Sequence, residues 1–273
     1  ANRLIAMDFS LQRIGDSSLH YFESGSDSRV QLLFLPGGMN PELWKHQLKY
    51  FSRVFRVASF QPTVSYRDYD SEVEAAKNIL DQESMRNVVL VSHTAGNALL
   101  KELESEEEVV ATVRTGMTGD IPVPPRTIYH ALWEFGCRKP KIVKKLFFSS
   151  RTDYQVIRNF SSDLEKPGYA DFKTFLEELD GSKPVKKAMV IHADDDRFSS
   201  RERARSLGQN ASVSVLQDAG TFSFYEKPQD YNKALHDFLT KLEGFVEKRE
   251  TYRAREKNRS LKEFSEERLE VKR

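Results

Sequence analysis

Four short segments of this 273-residue chain hold the residue types that do chemistry. Ser92-His93-Thr94-Ala95-Gly96 sets two hydroxyls and an imidazole side by side, and a threonine hydroxyl is able to attack a carbonyl when a base takes its proton. His192-Ala193-Asp194-Asp195-Asp196 brings three carboxylates together, the residue type of a cation site. Neighbours on one loop rarely converge on an ion without further ligands, so no metal is expected. Leu35-Pro36-Gly37-Gly38 ends an apolar run in a glycine turn, and Asp218-Ala219-Gly220-Thr221-Phe222 precedes the last helical stretch. Cys137, the sole cysteine, excludes an intramolecular disulfide and a multi-cysteine metal centre. With no base or sharp turn beside it in sequence, it reads as a packed or surface thiol.

The elements that must position these segments follow from hydrophobic patterning. Phe9 to Ile14 and Leu19 to Phe22, separated by Gly15-Asp16, read as an edge hairpin. Val30 to Leu35, Asn87 to Val91, Val109 to Val113, Val185 to His192 and Ser212 to Leu216 read as buried strands, as does Phe55 to Phe60. Helical spacing appears over Pro41 to Phe51, Ser71 to Leu80, Asn97 to Glu104 and Pro228 to Leu242. This alternation predicts an α/β fold with a mostly parallel central sheet and helices on both faces. Gly119 to Leu179 interrupts it with Pro122, Pro124, Pro125 and many aromatics, the pattern of an inserted helical cap.

In their order along the chain, the four segments resemble the α/β-hydrolase superfamily, in its capped, esterase- and epoxide-hydrolase-like branch. The resemblance spans residues 7–243 and leaves the insertion unaligned. It divides the chain into a core (1–118 and 180–244), a helical cap (119–179) and a charged tail (245–273). It implies a nucleophile on a strained turn at Thr94, flanked by the small residues Ser92 and Gly96, and an acid at Asp196. Thr94 then is either an unusual nucleophile or a remnant of an elbow that the fold needs. Asp196 either orients a histidine or is a loop carboxylate or a cap on the helix through Arg201 to Leu207, with Asp194 and Asp195 as substitutes. The base position holds Thr221, which accepts no proton at neutral pH. Of the six histidines, His20, His46, His192 and His236 lie elsewhere by sequence, His93 reads as a packing flank, and only His130 in the cap is placed to swing over Thr94. Oxyanion donors are implied at the N–H groups of Gly38 or Met39 and of Ala95. Such a pair holds a carbonyl or carboxylate without reaction, unless the glycines only make a tight turn.

With base and nucleophile both replaced, the resemblance implies a pseudohydrolase that needs no cofactor and binds a small carbonyl or carboxylate ligand under the cap. The alternatives are a weak ester or amide hydrolase using Thr94, and a structural subunit. Composition supports neither a membrane nor a nucleic-acid role: net charge is +1, and no apolar run approaches the ~20 residues of a membrane span. Ala1 to Asp8 lacks the apolar stretch of a signal peptide, so a cytoplasmic location is expected. Neutrality hides an asymmetry, because residues 245–273 hold ten Lys/Arg against seven Glu, net +3, and the remainder carries −2. The interleaved signs read as a solvated helix or disorder, with protein docking as its functional reading and the glutamates weakening any attraction to phosphate.

Overall fold

The computed structural model describes residues 10–14, 17–25, 28–61, 69–116, 139–164, 184–207 and 211–270. Eight strands form one sheet among these: β1 (Ser10–Ile14), β2 (Ser17–Ser24), β3 (Gln31–Phe34), β4 (Arg56–Gln61), β5 (Val88–His93), β6 (Val109–Thr115), β7 (Lys187–Ala193) and β8 (Ala211–Leu216). Their spatial order is β1-β2-β4-β3-β5-β6-β7-β8, antiparallel where β1 and β2 join the edge and parallel throughout the rest. The central strands are buried on both faces, as in Leu32, Leu33 and Phe34 of β3 and Val88 to Val91 of β5. Their helices are α1 (Lys45–Phe51), α2 (Tyr69–Gln82), α3 (Leu100–Leu103), α4 (Pro140–Phe147), α5 (Tyr154–Leu164), α6 (Arg201–Ser206), α7 (Ser223–Glu226) and α8 (Pro228–Glu270).

β3 lies between β4 and β5, so the chain leaves β3 towards one side of the sheet and returns through β5 on the other. The loops after these two strands diverge at this reversal, which is where open α/β sheets form a crevice. It places Gly37 and Gly38 beside the Thr94 elbow.

One element differs from the sequence expectation, and a second takes one of two expected forms. The helix expected at Asn97 begins earlier, as a 3-10 turn over Thr94–Leu99 that passes into α3, because the chain must reverse tightly straight after β5. The closing helix runs on through the tail to Glu270, 43 residues in all, which is the helical alternative of the two expected there. Its buried stripe of Tyr231, Leu235, Leu239, Leu242 and Val246 has helical spacing. Arg29 pairs with Glu247 at 3.3 Å and Glu250 at 3.4 Å, holding the next turn to the domain.

The described part of the insertion, α4 and α5, packs on the loops at the carboxyl end of the sheet. Phe222 is the hub: its ring centroid lies 4.5 Å from Phe160, 5.7 Å from Phe147 and 6.0 Å from Phe148, all from the insertion. The backbone is equally close, since a Cβ on Gly220 would stand 2.4 Å from the Phe147 carbonyl oxygen. One buried carboxylate clips the two together: Glu226 accepts N–H bonds from Ser149 at 3.0 Å and Gly220 at 2.7 Å, and a hydroxyl bond from Thr152. Phe222 is wholly buried, so Phe222→Ala removes a large apolar side chain from a site that cannot collapse around it. The expected loss is about 3–5 kcal/mol, seen as a lower urea midpoint with an unchanged m-value.

Candidate active site

Thr94 stands immediately after β5 with φ +49°, a left-handed conformation that is a genuine outlier for a β-branched residue. The turn is held by its own flanks. Ser92 Oγ donates to Asn97 Oδ1 at 2.6 Å, and Asn97 Nδ2 donates to the Thr115 carbonyl at 3.0 Å. The expected small residue Gly96 matters for contact with the glycine turn, whose Gly37 lies against the Gly96 backbone.

The imidazole that approaches Thr94 is its own neighbour. Thr94 Oγ1 lies 2.7 Å from His93 Nδ1 and 2.9 Å from Nε2, while Nε2 is 2.8 Å from the Thr221 carbonyl oxygen. A carbonyl only accepts, so Nε2 carries the proton and Nδ1 accepts from the threonine hydroxyl. His93 is packed between Phe222, at 4.6 Å between centroids, and Phe224, at 4.7 Å. It therefore packs as expected and also contacts the hydroxyl, which the sequence reading did not foresee. Burial drives its pKa down to about 3, against a smaller opposing effect of the Thr221 carbonyl. Protonating this ring is roughly 5 kcal/mol harder than for an ordinary histidine, so it is a weak base.

Thr221 is buried where the resemblance implies a histidine, and its hydroxyl donates to Asp196 Oδ1 at 2.8 Å. Asp196 also accepts the Phe198 N–H at 2.9 Å, and its Oδ2 is enclosed without a hydrogen-bond partner among the described residues. Burial raises its pKa to about 6 despite these bonds. Asp195 instead accepts the Ser149 hydroxyl at 2.5 Å, and the Asp194 carboxylate accepts the Ala219 N–H at 3.3 Å. The three aspartates thus turn to different partners, and among the described residues no group of three or more His, Cys, Asp or Glu is arranged to hold a metal ion. Cys137 and His130 lie outside the described residues.

The oxyanion-hole candidates differ from expectation. Gly38 N–H donates to Glu72 Oε2 at 2.9 Å, Gly37 N–H donates to Glu72 Oε1 at 2.6 Å, and Met39 N–H is spent on the Pro36 carbonyl at 3.2 Å. Ala95, the remaining candidate, is buried in the elbow directly after Thr94. Glu72 is fully buried in the first turn of α2, and burial raises its pKa to about 8 despite both N–H bonds. Sequence reading passed over it, although it lies four residues before Ala76 on the apolar face of α2, where a carboxyl is out of place.

This burial has a sign. An acid whose folded pKa is raised, from 4.5 to about 8 for Glu72, stabilises the fold below its unfolded value and loses that contribution as pH rises to 8. Glu226, raised by burial to about 7, acts in the same direction up to that pH. The lowered His93 acts oppositely, but only below its unfolded value of 6.5. Stability is therefore expected to fall between pH 6.5 and 8, by about 1.4 kcal/mol per unit for each proton lost. Urea midpoints at pH 7 and 8 should show Glu72→Gln with a distinctly shallower fall than the wild type; equal slopes would contradict the assignment.

Solved structures resemble this chain in fold. A malate-bound thermophilic esterase from Thermogutta terrifontis superposes with a TM-score of 0.64 at 15% identity, over 83% of this chain and 94% of the esterase. A bromoperoxidase from Bacillus anthracis gives 0.64 at 14%, over 85% and 99%. An α/β hydrolase fold protein from Chitinophaga pinensis gives 0.64 at 11%, over 84% and 96%. No protein-family profile and no curated protein matches the sequence. The chain has the α/β-hydrolase fold, with its mostly parallel sheet and helical insertion. Among its described residues no helix is long and apolar enough to cross a membrane.

Proposed function

We propose that this α/β-hydrolase-fold protein is non-catalytic and works as a pseudohydrolase, by binding a small carbonyl or carboxylate compound or by forming a complex. The observation that carries the reading is the partner of Asp196. Its carboxylate holds the Thr221 hydroxyl, so among the described residues the acid is not joined to a base able to take the Thr94 proton. Loss of the base from such a triad typically costs on the order of 10⁴ to 10⁶ in turnover. The Glu72 carboxyl on Gly37 and Gly38 supports the same reading, because it occupies donors that would otherwise hold an oxyanion. The carboxylate class of ligand is in keeping with the malate of the Thermogutta esterase structure.

One observation favours a second reading. The Thr94 hydroxyl lies 2.7 Å from His93 Nδ1, the geometry of a nucleophile and its base. Short p-nitrophenyl esters separate the two: the wild type is expected to match Thr94→Ala and buffer, whereas steady turnover abolished by Thr94→Ala would establish a weak hydrolase. Complex formation draws support from α8, which at 1.5 Å per residue is about 65 Å long and runs through the charged tail to Glu270. Removing residues 253–273 is expected to weaken association with a partner in native pulldown, and unchanged association would remove the tail from that role.

A further inference from the structure

Two successive glycines, Gly37 at φ +59° and Gly38 at φ +76°, turn their N–H groups towards the same point. Consecutive N–H groups in such a turn form a concavity suited to an anion. What fills it is a carboxyl group, with one oxygen on each donor at 2.6 and 2.9 Å. Glu72 reaches it from the first turn of the 14-residue α2, where the helix N-terminus also favours negative charge. The side chain is wholly buried, so its position is that of a bound ligand rather than a solvated surface group.

We propose that the Gly37–Gly38 turn is a carboxyl-binding site whose resident ligand is Glu72 of the same chain, and that a free short monocarboxylic acid takes the same place once that side chain is removed. Truncation to alanine deletes a methylene and the carboxyl group, a space close to that of acetate or formate, and leaves two buried N–H donors facing it. Benzoate is too wide for this space. The site accordingly admits a carboxyl-bearing compound in the unmodified protein only by displacing Glu72. This goes beyond the non-catalytic reading and stands or falls apart from it, since ester turnover by the wild type leaves the anion site untouched.

The test is thermal unfolding of Glu72→Ala in formate, acetate, benzoate and chloride at equal concentration, about 0.1 M, buffered near pH 5 so that part of each acid is neutral, with wild type and Glu72→Gln in the same salts as references. Formate or acetate is expected to raise the Tm of Glu72→Ala by about 2–4 °C over chloride, beyond any shift in the two references, and benzoate is not. The same shift in all three proteins, or none in Glu72→Ala, overturns the proposal. Where Glu72→Ala does not remain folded in chloride, the readout is the yield of folded protein on dilution from urea. A higher yield in formate or acetate than in chloride supports the site, and equal yields overturn it.

Discussion

Gly37→Ala is expected to leave little or no folded protein. Gly37 sits at φ +59°, where an L side chain costs about 1–2 kcal/mol. That strain is the smaller part of the effect. A Cβ there would stand 2.2 Å from the Gly96 nitrogen and 2.4 Å from its Cα, both backbone atoms that cannot rotate away. The glycine turn and the elbow would have to separate, breaking the junction between β3 and β5 around which the sheet reverses. Against a total stability of about 5–15 kcal/mol, such a displacement is decisive. Gly244→Ala is the control, because it lies in α8 with nothing within 4 Å of the added carbon, and it should stabilise the protein by about 0.5–1 kcal/mol. Soluble yield and thermal unfolding of the two variants give the comparison. A well-folded Gly37→Ala protein would mean that the turn and elbow are not in contact.

The second large effect concerns activity and depends on three positions together. Thr94→Ser relieves the β-branched residue at φ +49°, and Thr221→His sets an imidazole within reach of Asp196, whose Oδ2 has room for a further bond. Alone, this pair is expected to give little turnover of p-nitrophenyl acetate, because Glu72 still holds the Gly38 N–H. Adding Glu72→Ala frees that donor. One oxyanion donor is commonly worth about 10² to 10³ in kcat, and the triple variant should exceed the double by that order. Equal rates in the two variants would show that the Gly38 N–H does not face the reacting carbonyl.

The frame that positions these residues was legible because it rests on local patterns. Continuous apolar runs at Val30 to Leu35 and Asn87 to Val91 announce buried parallel strands, and Thr221 between Gly220 and Phe222 stands where the resemblance implies a histidine. Asp196 and Thr221, twenty-five residues apart in sequence, are joined in the fold as the order of segments implied. Glu72 was not legible in that way. It reads as a first-turn helix carboxylate, favourable on local grounds, and its true partners are 34 and 35 residues away in the chain. The role of His93 was hidden for a related reason, because its ring orientation is imposed by Phe222 and Phe224, which arrive from the far end of the sheet. The extent of α8 was obscured by charge: interleaved Glu, Lys and Arg in the tail read equally as helix or coil.

An ester assay depends on the choice of ester, whereas a fluorophosphonate probe reports directly whether any hydroxyl in the site is activated. Intact-mass and peptide analysis of the wild-type protein after prolonged exposure is therefore the most direct measurement of whether the site is catalytically silent. A Thr94 hydroxyl without an effective base predicts no added phosphonyl mass on the peptide containing Thr94. Stoichiometric labelling of Thr94, lost in His93→Ala, would contradict a non-catalytic site and identify His93 as the base.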